Sequence, residues 1–349
     1  MSDLYRSALS ARISKLPSLA SNEDEDDENE EADSLGSLPG SGMGPPAMQV
    51  TVPSRSLDSR VYYTAPASAD GTVMVCHHGA GYSGLTFACF AKEIVEMTRG
   101  ECGVLAVDAR RHGKTLSTSE KVDEDLSIDI LVDDLVGVIQ AVFPDPASAP
   151  TLLLVGHSMG GSVVVRCCPI LLQHHYRITG VAVLDVVEGS AIEALPHMHS
   201  LLNARPDGFN SPEEAIEWHV TTNTIRNAQS ARISIPSIVV PNPNPKGVLP
   251  YLWRTPLRST APYWSSWFKG LSSTFLTART ARILVLAGTD RLDNELMIGQ
   301  MQGKFQMVVI PGVGHMVQED APTRLAEIMV EFWKRNERVV VGIKKVGDA

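Results

Sequence analysis

Thr151-Leu152-Leu153-Leu154-Val155-Gly156-His157-Ser158-Met159-Gly160-Gly161 decides the fold. The apolar run Thr151–Val155 predicts a strand buried on both faces, and the residues over Gly160–Leu172 follow a helical pattern. Between them stands G-x-S-x-G. A strand before that motif and a helix behind it are the context that makes it a nucleophile elbow. The turn is so tight that the serine's backbone is strained. Side chains two residues to either side would collide, so Gly156 and Gly160 are small. The turn lifts the Ser158 hydroxyl clear of the sheet at a helix N-terminus, whose dipole favours a developing anion. A pattern with three fixed positions arises by chance in many proteins, and its weight here comes from the flanking elements and a second motif upstream.

Outward from the elbow the chain alternates. Val50–Val52 and Ser59–Tyr63 predict an opening hairpin. Strands are expected over Thr72–Cys76, Gly103–Val107, Ile178–Leu184, Ala281–Ala287 and Phe305–Ile310. Helices are expected over Phe87–Thr98, Ser127–Phe143 and Pro322–Lys334. In the second of these, Ile128, Leu131, Leu135 and Val138 share one face. Apolar strands separated by helices imply an α/β fold with a mostly parallel central sheet and helices on both faces. Between Asp185 and Thr280 the rhythm breaks into a helical, Pro-rich stretch. An inserted cap over about 186–280, lying across the C-terminal edge of the sheet, would explain it.

The second motif is His77-His78-Gly79-Ala80-Gly81 at the end of an early strand. A turn of this type supplies a backbone N–H to an oxyanion hole. Ala80 is the candidate donor, with the N–H of Met159 as its partner and Gly81 as an alternative. His77, His78 and His112 read as structural. Of the ten histidines, His315 stands in the place of a general base, on the Gly-rich loop Pro311–Gly314 after a late strand. The order Ser before His suits this architecture. The acid that orients it must accept the His315 Nδ1–H bond and fix the tautomer, and strand-end carboxylates are plausible candidates. By spacing alone Asp290, after the penultimate strand, is the favourite, with Asp293 nearby and Asp185 the other strand-end carboxylate.

Composition narrows the function classes. The chain has 349 residues, 44% of them hydrophobic, enough for a sizeable core. Its net charge is −10, which gains no counterion release on a phosphate backbone and argues against nucleic acid. Ten acidic and three basic residues fall within 1–48, nine of the acids between Glu23 and Asp33. Residues 1–47 therefore read as a disordered acidic tail, 48–336 as the folded domain and 337–349 as a C-terminal extension. No apolar run approaches a membrane span, and no signal-peptide core is visible. Five cysteines without a CxxC pair suggest reduced thiols, hence a cytoplasmic or nuclear protein.

The chain resembles the protein phosphatase methylesterases, α/β-hydrolases that demethylate the C-terminus of the protein phosphatase 2A catalytic subunit. The resemblance runs from about Thr72 to Asn336. Besides the two glycine-rich motifs it is carried by Asp185-Val186-Val187-Glu188-Gly189, Ala215-Ile216-Glu217-Trp218 and Ser230-Ala231-Arg232. Trp264, Trp267-Phe268, Gly270-Leu271-Ser272, Ala287–Asp293, Ile298–Gln306 and Gly314-His315 also match. It departs at Met48–Asp58, which lacks the Pro- and Trp-containing segment of family members, and over Pro236–Pro250. The resemblance implies an α/β-hydrolase fold and a triad of Ser158, Asp185 and His315, with Asp290 reduced to a reserve. It implies a leucine methyl ester as substrate and a phosphatase as partner, and ester hydrolysis by such a triad needs no metal or organic cofactor. Against it stand a generic small-molecule esterase and a non-catalytic phosphatase-binding regulator. Trp218, Trp253, Trp264 and Trp267 could line a peptide groove, and for at least half of them a place in the cap core is expected.

Overall fold

The computed structural model describes residues 46–118, 125–244, 248–288 and 292–337. The expected acidic tail lies outside the described residues except for its last two positions, as do residues 338–349 of the C-terminal extension.

Strands β1 (Ala47–Val52) and β2 (Leu57–Thr64) form the opening hairpin, with Ala47 opposite Tyr62 and Val52 opposite Leu57. Then come β3 (Thr72–His77), β4 (Cys102–Val107), the short β5 (Leu116–Ser117), β6 (Thr151–His157) and β7 (Ile178–Leu184). Three small strands, β8 (Gly208–Phe209), β9 (Val239–Pro241) and β10 (Tyr251–Trp253), precede β11 (Ala281–Leu286) and β12 (Gln306–Val309). The main sheet runs β1-β2-β4-β3-β6-β7-β11-β12, with β5 on β2. From β4 to β12 every neighbouring pair is parallel. Within this sheet only the pairings of β2 are antiparallel.

The helices are α1 (Ala88–Thr98), α2 (Ile128–Val142), α3 (Met159–Gln173), α4 (Glu188–Asn203), α5 (Pro212–Thr221) and α6 (Ala228–Ser234). They continue with α7 (Trp264–Phe268), α8 (Leu271–Thr277), α9 (Asn294–Met301), α10 (Val317–Asp320) and α11 (Pro322–Asn336). Alternation along the central strands sorts their side chains into two cores. Val73, Val75, Leu152, Leu154, Val181 and Val183 pack on the side of α2 and α3. Met74, Cys76, Leu153, Val155, Ala182 and Leu184 pack on the side of α1 and α11. Strands β3 and β4 are buried at every residue, which is why they read as unbroken apolar runs. Full burial of one such leucine stabilises the fold by about 1.5–3 kcal/mol. The four apolar residues expected on one face of α2 are all buried.

The structure departs from expectation in two places that matter. Strand β6 runs two residues past Val155, and α3 begins at Met159, so Ser158 alone makes the turn. The stretch after Asp185 is not helices and loops alone, because it contains a separate three-stranded sheet in the order β8-β10-β9. Strands of two or three residues beside Pro241 and Pro250 are too short to show a period of two. Of the cap tryptophans, Trp264 and Trp267 are buried in the main core, bonding through Nε1 to Thr260 Oγ1 and the Leu126 carbonyl. Trp218 and Trp253 are half-buried against a small cap core with Phe209 and Ile216.

Candidate active site

Ser158 sits at φ 53°, ψ −119°. That conformation is sparsely populated for a residue with a Cβ and holds strain of about 1–3 kcal/mol. Its N–H bonds the Leu184 carbonyl at 3.0 Å, and its own carbonyl accepts from Gly161 N at 2.9 Å. The steric reason for the flanking glycines is visible. A Cβ on Gly156 would run into the Gly160 carbonyl, and one on Gly160 into the carbonyl of His77.

Asp185 follows β7, the strand beside β6, and also takes a positive φ, 50°. Its N–H is held by the Val285 carbonyl at 2.8 Å. Its two oxygens have separate donors. Oδ1 accepts from Ala287 N at 2.7 Å, and Oδ2 meets His315 Nδ1 at 2.7 Å. A carboxylate at Nδ1 puts the neutral imidazole's proton there and leaves Nε2 with a lone pair. Burial pushes the Asp185 carboxyl up, but the bond and charge of His315, together with the Ala287 N–H, outweigh it and hold the group below the usual carboxylate value. Asp185 is 8% exposed at its side chain and His315 56%, so the imidazole faces solvent while the carboxylate is covered. Asp290 and its two neighbours lie outside the described residues. No hydrogen bond joins Ser158 Oγ to His315 among the described residues. Such bonds are often long before substrate binds.

The loop carrying His315 is gripped from three sides by residues the sequence reading did not single out. Arg226 Nη1 donates to the Gly312 carbonyl at 2.6 Å. Asp320 takes the N–H groups of Gly314 and Arg226, at 2.6 and 2.7 Å, on its two oxygens. His157 Nε2 lies 2.8 Å from the carbonyl of His315 itself. No hydropathy period marks such polar ties. Only the nesting of His157 inside the elbow motif placed it near the chemistry.

The second glycine-rich motif lies against the elbow. His77 pairs with Gly156 in the β3–β6 register, and a Cβ added to Gly79 would lie 3.2 Å from that of Ser158. Among the described residues the N–H groups of Ala80 and Met159 make no hydrogen bond, so both are free to donate. His78 fastens the loop. A carbonyl only accepts, so its Nδ1 donates to the Gly79 carbonyl at 2.7 Å, and Nε2 accepts from Ala109 N at 3.0 Å. His77 and His112 bond neighbouring carbonyls in the same way, at 3.0 and 2.8 Å. Burial holds His77 and His112 down to about 4 and His157 down to about 3. These rings act as neutral hydrogen-bond groups. The buried Nδ1 of His157 has no partner, a lack that costs about 1–3 kcal/mol in a typical interior.

Just beyond His315, Glu319 is fully buried in α10. The Ser234 hydroxyl donates to its Oε1, while Oε2 is without a partner. Burial pushes its carboxyl from 4.5 up to about 8. The folded chain therefore binds a proton that the unfolded chain releases between those values, and stability falls as pH rises through that window. Glu319→Gln keeps the shape without the titration. It is expected to stabilise the protein by about 1–3 kcal/mol at pH 8 and to do little at pH 4.5. Urea unfolding at both pH values checks this, and a parallel pH dependence of the two proteins would refute it.

Comparison with known proteins places this geometry among relatives. The model of the alpha/beta hydrolase family matches residues 74–328. A protein phosphatase methylesterase 1 from Cryptococcus neoformans var. neoformans serotype D is 48% identical over 333 residues, covering 86% of this chain and 78% of the relative. One from Aspergillus oryzae is 46% identical over 292 residues, covering 82% and 68%. Among solved structures, E-2-(acetamidomethylene)succinate hydrolase aligns with a TM-score of 0.63 at 18% identity, over 83% of this chain and 99% of that one. An esterase of M. tuberculosis aligns with a TM-score of 0.59 at 18% identity, over 89% and 100%. At such low identity the two structures speak for the fold alone.

Proposed function

This chain belongs to the protein phosphatase methylesterases of the alpha/beta hydrolase family and is a carboxylic ester hydrolase, and from that premise we propose that it removes the methyl ester from the C-terminal leucine of the protein phosphatase 2A catalytic subunit. The observation that carries the reading is the 2.7 Å bond from His315 Nδ1 to Asp185, made at the foot of a strained elbow serine. In this reading His315 Nε2 takes the proton of Ser158 as Oγ attacks the ester carbonyl. Asp185 keeps the imidazole in the required tautomer and stabilises the imidazolium. The oxyanion faces the N–H groups of Ala80 and Met159. Each such donor contributes about two to three orders of magnitude to the rate. The tetrahedral adduct collapses and methanol leaves with the proton held by His315. Water, deprotonated by the same imidazole, then hydrolyses the acyl-enzyme and frees the carboxylate.

The partner is accordingly a phosphatase presenting a methylated tail. A cytoplasmic or nuclear setting fits the cysteines, all five of which are free thiols. No helix among the described residues is long and apolar enough to cross a membrane. Incubation with carboxymethylated phosphatase and, separately, with short-chain nitrophenyl esters tests the substrate. Loss of the methyl group from the phosphatase is expected, at a higher kcat/KM than for the small esters. Rapid turnover of nitrophenyl esters with the phosphatase untouched would overturn the assignment in favour of a small-molecule esterase.

A further inference from the structure

We infer that His157 is a positioning residue for this hydrolysis, holding the His315 loop at its working distance from the elbow; the inference rests on the triad proposed above. His157 occupies the variable position before the nucleophile and is the last residue of β6. Its ring touches three elements at once. It is part of the elbow. Its Nδ1 lies where a Cβ on Gly79 would come within 2.8 Å, so it abuts the loop of the proposed oxyanion donor. Its ring lies 4.7 Å from that of His315, tilted by 51°.

The polar contacts identify what the ring is for. A carbonyl oxygen only accepts, so Nε2–H of His157 donates to the His315 carbonyl over 2.8 Å. His315 is thereby held at both ends, by Asp185 at its ring and by His157 at its main chain. The other nitrogen of His157 is buried and unpartnered. A leucine or methionine would fill the space without burying an orphan polar atom. The feature that sets histidine apart here is the donor aimed at His315. That donor sits on a rigid strand end one residue from Ser158, so it fixes the height of the base relative to the nucleophile. A misplacement of about 1 Å at such a point costs roughly 100-fold in rate.

The test compares full-length wild type, His157→Gln, His157→Asn and His157→Leu, with carboxymethylated phosphatase and p-nitrophenyl acetate as substrates. The amide nitrogen of Gln reaches the place of Nε2, whereas that of Asn falls at the place of Nδ1. Leu and Asn are expected to lower kcat roughly 10- to 100-fold with KM within about twofold, and Gln to restore most of the rate. The thermal midpoints are expected to stay close to wild type. Asn is polar and small enough to fold should Leu fail. Wild-type kcat in the Asn or Leu variant, equal impairment of Gln and Asn, or a loss confined to KM would overturn the inference. If wild type hydrolyses neither ester, the underlying triad fails as well. An active wild type with an unaffected Asn variant removes the positioning role alone.

Discussion

Ser158→Ala is expected to lower ester hydrolysis by about 10⁴- to 10⁶-fold while leaving the protein folded. The reasons for the two halves of that result differ. The rate falls because Ser158 carries the only hydroxyl among residues 156–161 of the elbow. A residue of activity persists because the N–H groups of Ala80 and Met159 still favour the oxyanion of water attack. Stability holds because Ser158 Oγ has no hydrogen-bond partner among the described residues, so its removal orphans nothing. The Cβ that makes φ 53° costly is present in alanine too, so the strain is neither relieved nor increased. The change in unfolding free energy is expected to stay within about 0.5 kcal/mol. Turnover of methylated phosphatase and labelling by a fluorophosphonate probe check the first half, and urea unfolding the second. Retention of a tenth of the activity would remove Ser158 from the mechanism.

Asp185→Asn is expected to lower kcat by about 10⁴-fold. Aspartate offers one oxygen to Ala287 N and the other to His315 Nδ1. Asparagine has a single acceptor oxygen for those two donors. If it keeps the Ala287 bond, its NH₂ faces Nδ1 and the imidazole must put its proton on Nε2, where it can no longer accept one from Ser158. The same variant tests pH dependence. Because the folded-state pKa of Asp185 is depressed, its contribution to stability is present above its ordinary value of 3.8 and is lost as pH falls through the lowered one. Unfolding measured between pH 5 and pH 2 should show a steeper acid loss in wild type than in the variant. Asp290→Asn is the companion measurement. Near-wild-type activity in Asp185→Asn with collapse in Asp290→Asn would transfer the role to the reserve acid.

The elbow was legible because its signal is local. A buried strand, a glycine either side of the serine and a helix are all written within about twenty residues, and the steric need for Gly156 and Gly160 follows from the turn. The choice of acid was not legible from spacing. Strands β7 and β11 are parallel neighbours, so both end at the same edge of the sheet, and sequence distance does not rank the carboxylates that follow them in the chain. Only the resemblance pointed to Asp185, and in the structure it is Asp185 that meets His315. The ties made by Arg226, Asp320 and His157 were invisible for a related reason. Each joins segments far apart in the chain through one or two polar atoms, and a single polar residue sets up no hydropathy period. The small sheet of β8, β9 and β10 escaped because its strands are only two or three residues long, too short for a repeating alternation.

The position of β6 between β3 and β7 carries a consequence for the newborn chain. Synthesis releases the elbow long before the loop that would activate it, since 158 residues separate His157 from His315. At about 5–20 residues per second, that interval is roughly 8 to 30 seconds. During it the part of the sheet face that Met329, Phe332 and Trp333 will cover is still bare, and Ser158 is an ordinary alcohol with no base beside it. With Ser158 and His315 in the roles proposed above, esterase activity arrives as one of the last events of maturation. A polypeptide interrupted after β7 is inert toward the esters around it, whatever the quality of its nucleophile.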